Sequence, residues 1–151
     1  MAKKGQFVVD SSVVAKWFLT EPDSDKAIEL RDEFASGRLE LAVPSLLFYE
    51  VMNALRFSGS FRSPDLVVAA KSLSKYRFGI WRPRGKLLEL STKLSVEKDL
   101  TVYDACYVAL GKRTNSRVVT EDKELIVKFP ADALALSDFE TSDYGRANVA
   151  D

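Results

Sequence analysis

Apolar residues occur along the chain in two patterns that alternate from one end to the other. Short continuous apolar runs are typical of strands buried on both faces, and apolar positions spaced three and four apart are typical of amphipathic helices. The runs predict five strands, at Phe7–Val9, Leu39–Val43, Phe78–Trp81, Arg117–Thr120 and Ala133–Leu136. The helical spacing predicts seven helices, at Ser11–Leu19, Ser24–Phe34, Pro44–Phe57, Ser63–Tyr76, Lys86–Lys98, Thr101–Lys112 and Glu121–Val127.

The order of these elements, β-α-α-β-α-α-β-α-α-β-α-β, predicts the fold class. Strands that alternate with helices form mostly parallel sheets, and the helices cover both faces. We therefore expect an α/β protein, a three-layer α/β/α sandwich with a five-stranded, mostly parallel sheet. The 151 residues contain no repeats and no linker, so we expect a single domain over residues 1–151. The polar, acidic residues 137–151 are expected to form a loosely held tail.

The chain contains no histidine and a single cysteine, Cys106. The absence of histidine excludes Ser-His-Asp and Cys-His nucleophile systems and His-ligated zinc. One cysteine allows neither an internal disulfide nor a multi-cysteine zinc site, and we expect Cys106 to be an inert core residue in a reducing compartment. Carboxylates that bind a hard metal ion remain the main catalytic option.

Charge and hydropathy restrict the partners. Lys and Arg number 22, as do Asp and Glu, so a nucleic-acid substrate would have to be held by a local basic rim or by metal ions. Five Lys and Arg side chains are candidates for contacts with RNA phosphates, although plain solvation is the favoured explanation for them, as it is for most Lys and Arg: Lys16, Arg56, Lys112, Arg113 and Lys123. No signal peptide and no apolar run of ~20 residues is present, so we expect a cytoplasmic protein without a membrane span.

Four carboxylates are scattered in sequence but fall at one edge of the predicted sheet. Asp10 ends the first strand, and Asp122 lies just past the fourth. Glu50 borders the buried face of the helix after strand two, and Asp104 lies in the first turn of the helix that begins near Thr101. Because strand ends and the following helix N-termini share one edge of a parallel sheet, these acids are expected to converge at one crevice.

Each of these acids also has an ordinary local explanation. Asp10 suits the N-cap of the following helix, and Asp104 suits a capping box with Thr101. Asp122 would be favoured at the positive end of a helix dipole, and Glu50 could be a solvated helix residue. If the acids do share a crevice, their mutual repulsion requires a counter-charge, which Mg²⁺ or Mn²⁺ supplies while accepting oxygen ligands and substrate phosphate.

Four sequence blocks resemble the signature blocks of PIN-domain proteins, and more narrowly those of the VapC toxin ribonucleases of toxin–antitoxin pairs. The blocks are Val8–Ser12 (VVDSS), Pro44–Leu55 (PSLLFYEVMNAL), Thr101–Leu110 (TVYDACYVAL) and Val118–Asp122 (VVTED). Any single block is weakly specific. The set of four, in the family's order and at its usual spacing, is strongly specific.

The resemblance implies a five-stranded parallel sheet and Mg²⁺- or Mn²⁺-dependent endonucleolytic cleavage of RNA. It makes Asp10, Glu50, Asp104 and Asp122 the catalytic, metal-binding acids, and Ser12 and Thr120 the hydroxyls that support them. Glu121 is a competing carboxylate for the fourth position. The resemblance also implies a homodimer and a small VapB-like antitoxin that blocks the site.

Two other classes of α/β protein also carry an acidic residue at the end of the first strand. A haloacid-dehalogenase-type phosphatase needs a second Asp where this chain has Ser12, and a response-regulator receiver needs an acidic pair at the first strand end. The remaining alternative is a catalytically silent PIN-like module that binds RNA or acts as a scaffold.

Four aromatic residues are candidates for a dimer or antitoxin interface, with core packing as the alternative: Phe48, Tyr49, Phe57 and Phe61.

Overall fold

The structure, a computed structural model, describes residues 5–141 and contains one parallel sheet of five strands. The strands are β1 (Gly5–Val9), β2 (Leu39–Pro44), β3 (Gly79–Trp81), β4 (Arg117–Thr120) and β5 (Ala133–Ala135). The helices are α1 (Ser11–Ala15), α2 (Ser24–Ala35), α3 (Leu47–Phe57), α4 (Ser63–Ser74), α5 (Gly85–Lys98), α6 (Val102–Thr114) and α7 (Lys123–Lys128). The predicted order of elements and the predicted α/β fold class are confirmed.

The sheet has the strand order β3-β2-β1-β4-β5, and every pair of neighbours is parallel. The register pairs Val8 with Val118 and Val9 with Val119, and all four valines are fully buried. Helices cover both faces, as the uninterrupted apolar runs require. β1 therefore ends at the centre of the carboxyl edge, directly beside the end of β4.

Helix α6 approaches the sheet very closely at Gly111. A Cβ atom at this position would lie 2.7 Å from the Ser116 carbonyl oxygen and 3.1 Å from Cγ2 of Val118. Only a residue without a side chain allows this approach. The contact sets the distance between α6 and β4, the two elements that carry Asp104 and Thr120.

Two predicted element boundaries are wrong by three residues or more, and others differ by one or two. Pro44 is the last residue of β2 and does not open the next helix, which begins at Leu47. Proline has no N–H to donate, and the ladder to β3 continues one residue later, where Ser45 N donates to Trp81 O at 2.9 Å. The first helix ends at Ala15, before the predicted Leu19, because the chain continues there in turns with i to i−3 hydrogen bonds.

The expected loose tail from residue 137 onward is wrong for its first residues. Leu136–Asp138 form a 3₁₀ helix, and the following Phe139 is fully buried with its ring edge-on to Phe7 at 5.7 Å. Lys26 Nζ donates a hydrogen bond to Phe139 O. Burial of one aromatic ring anchors this segment against β1. The remainder of the expected tail, residues 142–151, lies outside the described residues.

Within residues 5–141, no helix has both the length and the apolar character required to cross a membrane.

Candidate active site

Asp10 directly follows β1 and is 7% exposed. It occupies the N-cap position of α1, but its side chain makes no capping hydrogen bond. Its Oδ2 instead accepts hydrogen bonds from the hydroxyls of Ser12, at 2.9 Å, and Thr120, at 2.7 Å. The side chain is therefore oriented by its neighbours at the sheet edge and does not satisfy the helix N-terminus.

The two hydroxyls also bind the chain that follows β4. Ser12 Oγ accepts from Glu121 N at 3.1 Å, and Thr120 Oγ1 accepts from Asp122 N at 2.9 Å. Because each hydroxyl oxygen accepts an N–H, its own proton is directed towards Asp10. These four hydrogen bonds lock the end of β1 to the loop that carries Glu121 and Asp122.

Glu50 lies in α3 and is half-buried. The ordinary local explanation, that it is a solvated helix residue, is therefore wrong. Its Oε1 accepts a 2.5 Å hydrogen bond from the hydroxyl of Tyr107, and the Ser11 side chain lies close to Glu50 and opposes the rise in its pKa. Sequence reasoning assigned no role to Tyr107 or Ser11. A usable signal was present, since Tyr107 follows Asp104 by three residues and shares its face of α6.

Asp104 and Asp122 both lie at helix N-termini, and the local explanations for them are partly right. Thr101 Oγ1 accepts from Asp104 N at 3.1 Å and so caps α6. Asp122 caps α7 by accepting from Glu124 N at 2.9 Å. The two carboxylates nevertheless lie close enough to interact at the sheet edge. Burial is the main cause of the raised pKa of Asp104, and repulsion from Asp122 raises it further.

Electrostatics identify Asp10, Glu50, Asp104 and Asp122 as one group, which we call the acid cluster. Burial raises the pKa of Asp10, and repulsion from Asp122 adds to it. Burial also raises the pKa of Glu50, with further repulsion from Asp10 and Asp104. Among the described residues, none of the four acids forms an ion pair with Lys or Arg. The cluster therefore carries negative charge at the sheet edge without a protein counter-ion.

Of the five basic residues that are candidates for phosphate contacts, two are already paired with acidic side chains. Lys16 is buried, with Nζ 3.6 Å from Oε2 of Glu121, and Lys112 pairs with Asp132 at 3.2 Å. The other three candidates are exposed: Arg56, Arg113 and Lys123.

Cys106 is buried, as predicted. Burial, together with repulsion from Glu50, Asp10 and Asp104, raises the pKa of its thiol to about 12. The thiol is therefore protonated at neutral pH and a poor nucleophile.

The four aromatic interface candidates divide into two pairs. Phe48 packs edge-on against Phe78 at 5.9 Å, and Phe61 packs partly buried against the core. Tyr49 and Phe57 are 81% and 75% exposed. Only the second pair is available to a partner.

The donor chemistry of the acid cluster fits a hard divalent cation, since all its ligand atoms are carboxylate oxygens. In the part of the chain that the structure describes, no three His, Cys, Asp or Glu residues are close enough to hold an ion jointly. Mg²⁺ is commonly bound through one or two carboxylates while it keeps several waters, so a three-residue cage is not required. The cluster therefore suits a hydrated ion and not a dedicated protein cage.

Comparison with known proteins agrees with this arrangement. Ribonuclease VapC3 of Pyrobaculum aerophilum is 29% identical over 130 residues, which cover 83% of this chain and 96% of that protein. Exonuclease VapC9 of the same organism is 30% identical over 97 residues, 64% of this chain and 73% of that protein. A toxin–antitoxin complex from Klebsiella pneumoniae contains a chain with the same fold, with a TM-score of 0.64 at 17% identity over 88% of this chain and 99% of that one.

The family model described as "PIN domain" matches residues 7–129, which contain all four members of the acid cluster. This match spans well over half of the sequence. The chain therefore belongs to the PIN domain family.

Proposed function

We propose that this protein is a ribonuclease that depends on a divalent metal ion, and that it acts as the toxin of a VapBC-type toxin–antitoxin pair. The observation that carries the proposal is the acid cluster, in which one buried and three half-buried carboxylates share one edge and, within residues 5–141, form no ion pair with Lys or Arg. Its substrate is single-stranded or structured RNA, cut internally. The name of ribonuclease VapC3, and its similarity to this chain over 96% of its own length, support the RNA substrate.

The residues of the cluster have distinct tasks in this proposal. Asp10, Glu50, Asp104 and Asp122 would hold a hydrated Mg²⁺ or Mn²⁺ between them, partly through its water ligands, and Ser12 and Thr120 hold Asp10 in place through the hydrogen bonds at its Oδ2. When bound, the ion supplies a Lewis acid that activates water and neutralises charge on the phosphate. Since the raised pKa values favour protonated acids, the ion must compete with protons for the site.

Cleavage of a labelled single-stranded RNA by the purified protein tests the proposal. We expect cleavage with Mn²⁺ or Mg²⁺ and none with EDTA. Asp10→Asn and Asp104→Asn should each abolish it, while the exposed Asp25→Asn in α2 should cleave like the unmodified protein. Full activity in the Asp10 and Asp104 variants would overturn the mechanism. A circular RNA separates the modes of attack, because only an endonuclease can open it.

A catalytically silent PIN-like module that binds RNA or acts as a scaffold is the second candidate. It is favoured by the finding that, within residues 5–141, no three ligand-type side chains are grouped closely enough to hold an ion jointly. Like charges that are buried at Asp10 and half-buried at the other three acids speak against it, because they cost stability and a scaffold does not need them. A melting temperature that rises with added Mn²⁺ would support the enzyme, and a constant one would support the scaffold.

The partners in this proposal are a small VapB-like antitoxin and a second copy of the chain. The Klebsiella neighbour is a toxin–antitoxin complex, which supports the antitoxin. The exposed rings of Tyr49 and Phe57 on α3 offer apolar area for a protein partner. Copurification of a small polypeptide would support the antitoxin, and light scattering of the isolated protein would give the mass that distinguishes a dimer from a monomer.

A further inference from the structure

The hydroxyl of Tyr107 connects the interior of the protein to the acid cluster. Tyr107 is 1% exposed and belongs to the apolar core. Its hydroxyl donates to Oε1 of Glu50, which is 57 residues away in sequence. The Ser11 side chain lies close to both Tyr107 and Glu50, so three elements, α1, α3 and α6, meet at this carboxylate.

Packing alone does not require a tyrosine at this position. A phenylalanine ring would fill the same core space, so the hydroxyl is explained by what it binds. Glu50 has a long side chain on a helix surface, and such a side chain loses considerable rotamer freedom when it is fixed. A short hydrogen bond from a rigid, buried donor reduces that loss before any ligand arrives. Hydrogen bonds of this kind orient carboxylates that bind metal ions and are required for full affinity.

We propose that Tyr107, assisted by Ser11, is a positioning residue that fixes the Glu50 carboxylate for binding a divalent cation. This inference rests on the proposed function, since it presumes that Glu50 is a ligand. It assigns α6 two tasks, because the helix carries Asp104 in its first turn and positions Glu50 from its second. The opposing explanation is structural, with Tyr107 serving only to satisfy a half-buried carboxylate.

The two explanations differ in what Tyr107→Phe changes. A structural role lowers the melting temperature of the metal-free protein and leaves Mn²⁺ affinity unchanged. A positioning role weakens Mn²⁺ binding, by about tenfold for loss of a hydrogen bond that orients a ligand. Tyr103→Phe is the matched control, because it removes the same atom from the same helix at a ring that is 67% exposed.

Isothermal titration of the full chain with Mn²⁺ measures this affinity directly, and melting without metal is recorded for each variant. We expect about tenfold weaker binding for Tyr107→Phe and an unchanged dissociation constant for Tyr103→Phe. In a Glu50→Gln background, Tyr107→Phe should cause no further loss, because the tyrosine acts through Glu50. Ser11→Ala, expected to weaken binding several-fold, replaces Tyr107→Phe if that variant does not fold.

Unchanged affinity in both Tyr107→Phe and Ser11→Ala, or losses that add fully to that of Glu50→Gln, would overturn the inference. Those outcomes leave the proposed function intact as long as the unmodified protein binds Mn²⁺. If the unmodified protein does not bind Mn²⁺, the metal-dependent function and this inference both fall. The concentration of Mn²⁺ that gives half-maximal RNA cleavage provides an independent check, since it should rise for Tyr107→Phe while the rate at saturating Mn²⁺ changes less.

Discussion

Lys16 and Glu121 form an ion pair at the edge of the candidate site, with 3.6 Å between Nζ and Oε2. The ammonium group of Lys16 also donates to Pro22 O at 2.6 Å. Glu121 thus has a counter-ion, whereas its neighbour Asp122 has none among the described residues and raises the pKa of both Asp10 and Asp104 by repulsion. Of the two adjacent acids, Asp122 is the one that belongs with the cluster.

This difference predicts opposite outcomes for two neutral substitutions. Asp122→Asn should lower the rate of RNA cleavage by about tenfold or more, while asparagine preserves the N-cap of α7. Glu121→Gln should leave the rate within about twofold but lower the melting temperature, because it leaves the buried Lys16 without its counter-ion. Initial rates on a labelled RNA at fixed Mn²⁺ and a melting curve for each variant provide the measurements. A larger rate loss in Glu121→Gln would make Glu121 the fourth acid.

Asp10 is predicted to cost stability in the metal-free protein. Its carboxylate is buried and its pKa is raised, so ionisation at neutral pH is less favourable in the folded chain than in the unfolded chain. Asp10→Asn should therefore raise the melting temperature in EDTA, by about 2–4 °C for each kcal/mol relieved. The same variant should gain no stability from Mn²⁺. Asp25→Asn in α2 is the control, and its melting temperature should not change.

A lower or equal melting temperature for Asp10→Asn in EDTA would contradict this account. It would mean that the hydrogen bonds from Ser12 and Thr120 compensate the carboxylate fully, so that a neutral side chain gains nothing. Activity loss alone does not separate these cases, because both predict an inactive variant. The metal-free melting curve does separate them.

The difference in melting temperature between Asp10→Asn and the unmodified protein should change with pH in a defined direction. A carboxyl group with a higher pKa in the folded chain binds its proton more tightly there, so its stability cost is complete above the folded pKa. The cost is lost as the pH falls through the raised pKa towards the unfolded value of about 3.9. The gap in melting temperature between Asp10→Asn and the unmodified protein should therefore be largest at neutral pH and close on acidification. A gap that widens in acid would show that the pKa of Asp10 is lowered in the fold.

The arrangement of the acid cluster was largely predictable because it depends on topology. Continuous apolar runs such as Phe7–Val9 identify buried strands, and the order of strands and helices requires a parallel sheet. Parallel topology then brings Asp10 and Asp122 to one edge, whatever the details of packing. Their convergence needed only the order of the elements, which the sequence pattern determines.

Contacts that depend on how helices pack could not be predicted in this way. The hydrogen bond from Tyr107 to Glu50 joins α6 to α3, and no periodicity within either helix specifies that approach. The pairing of Lys16 with Glu121 depends on the turn after α1. The sequence pattern predicted that the helix continues through this turn to Leu19, so the pairing could not be foreseen. Phe139 is an isolated apolar residue in a polar stretch, so neither helical nor strand spacing could mark it as buried.

Gly111 provides the last prediction, which concerns the contact between α6 and β4. Alanine is a better helix former than glycine by about 1 kcal/mol, so Gly111→Ala would stabilise an isolated helix. Here the added Cβ would lie 2.7 Å from the Ser116 backbone oxygen, which cannot move aside without shifting the start of β4. Such overpacking costs about 1–3 kcal/mol, and we expect it to exceed the helical gain and lower the melting temperature.

The shift should also reach the candidate site, because β4 ends at Thr120, whose hydroxyl holds Asp10. Gly111→Ala should therefore weaken Mn²⁺ binding as well as stability, and titration of the folded variant measures this effect separately. Arg113→Ala, at an exposed position of α6, is the control. It should change the free energy of unfolding by no more than about 0.5 kcal/mol. A Gly111→Ala protein that melts at or above the unmodified temperature would show that α6 can move away from β4 at no cost, and the close contact would then have no part in holding the site together.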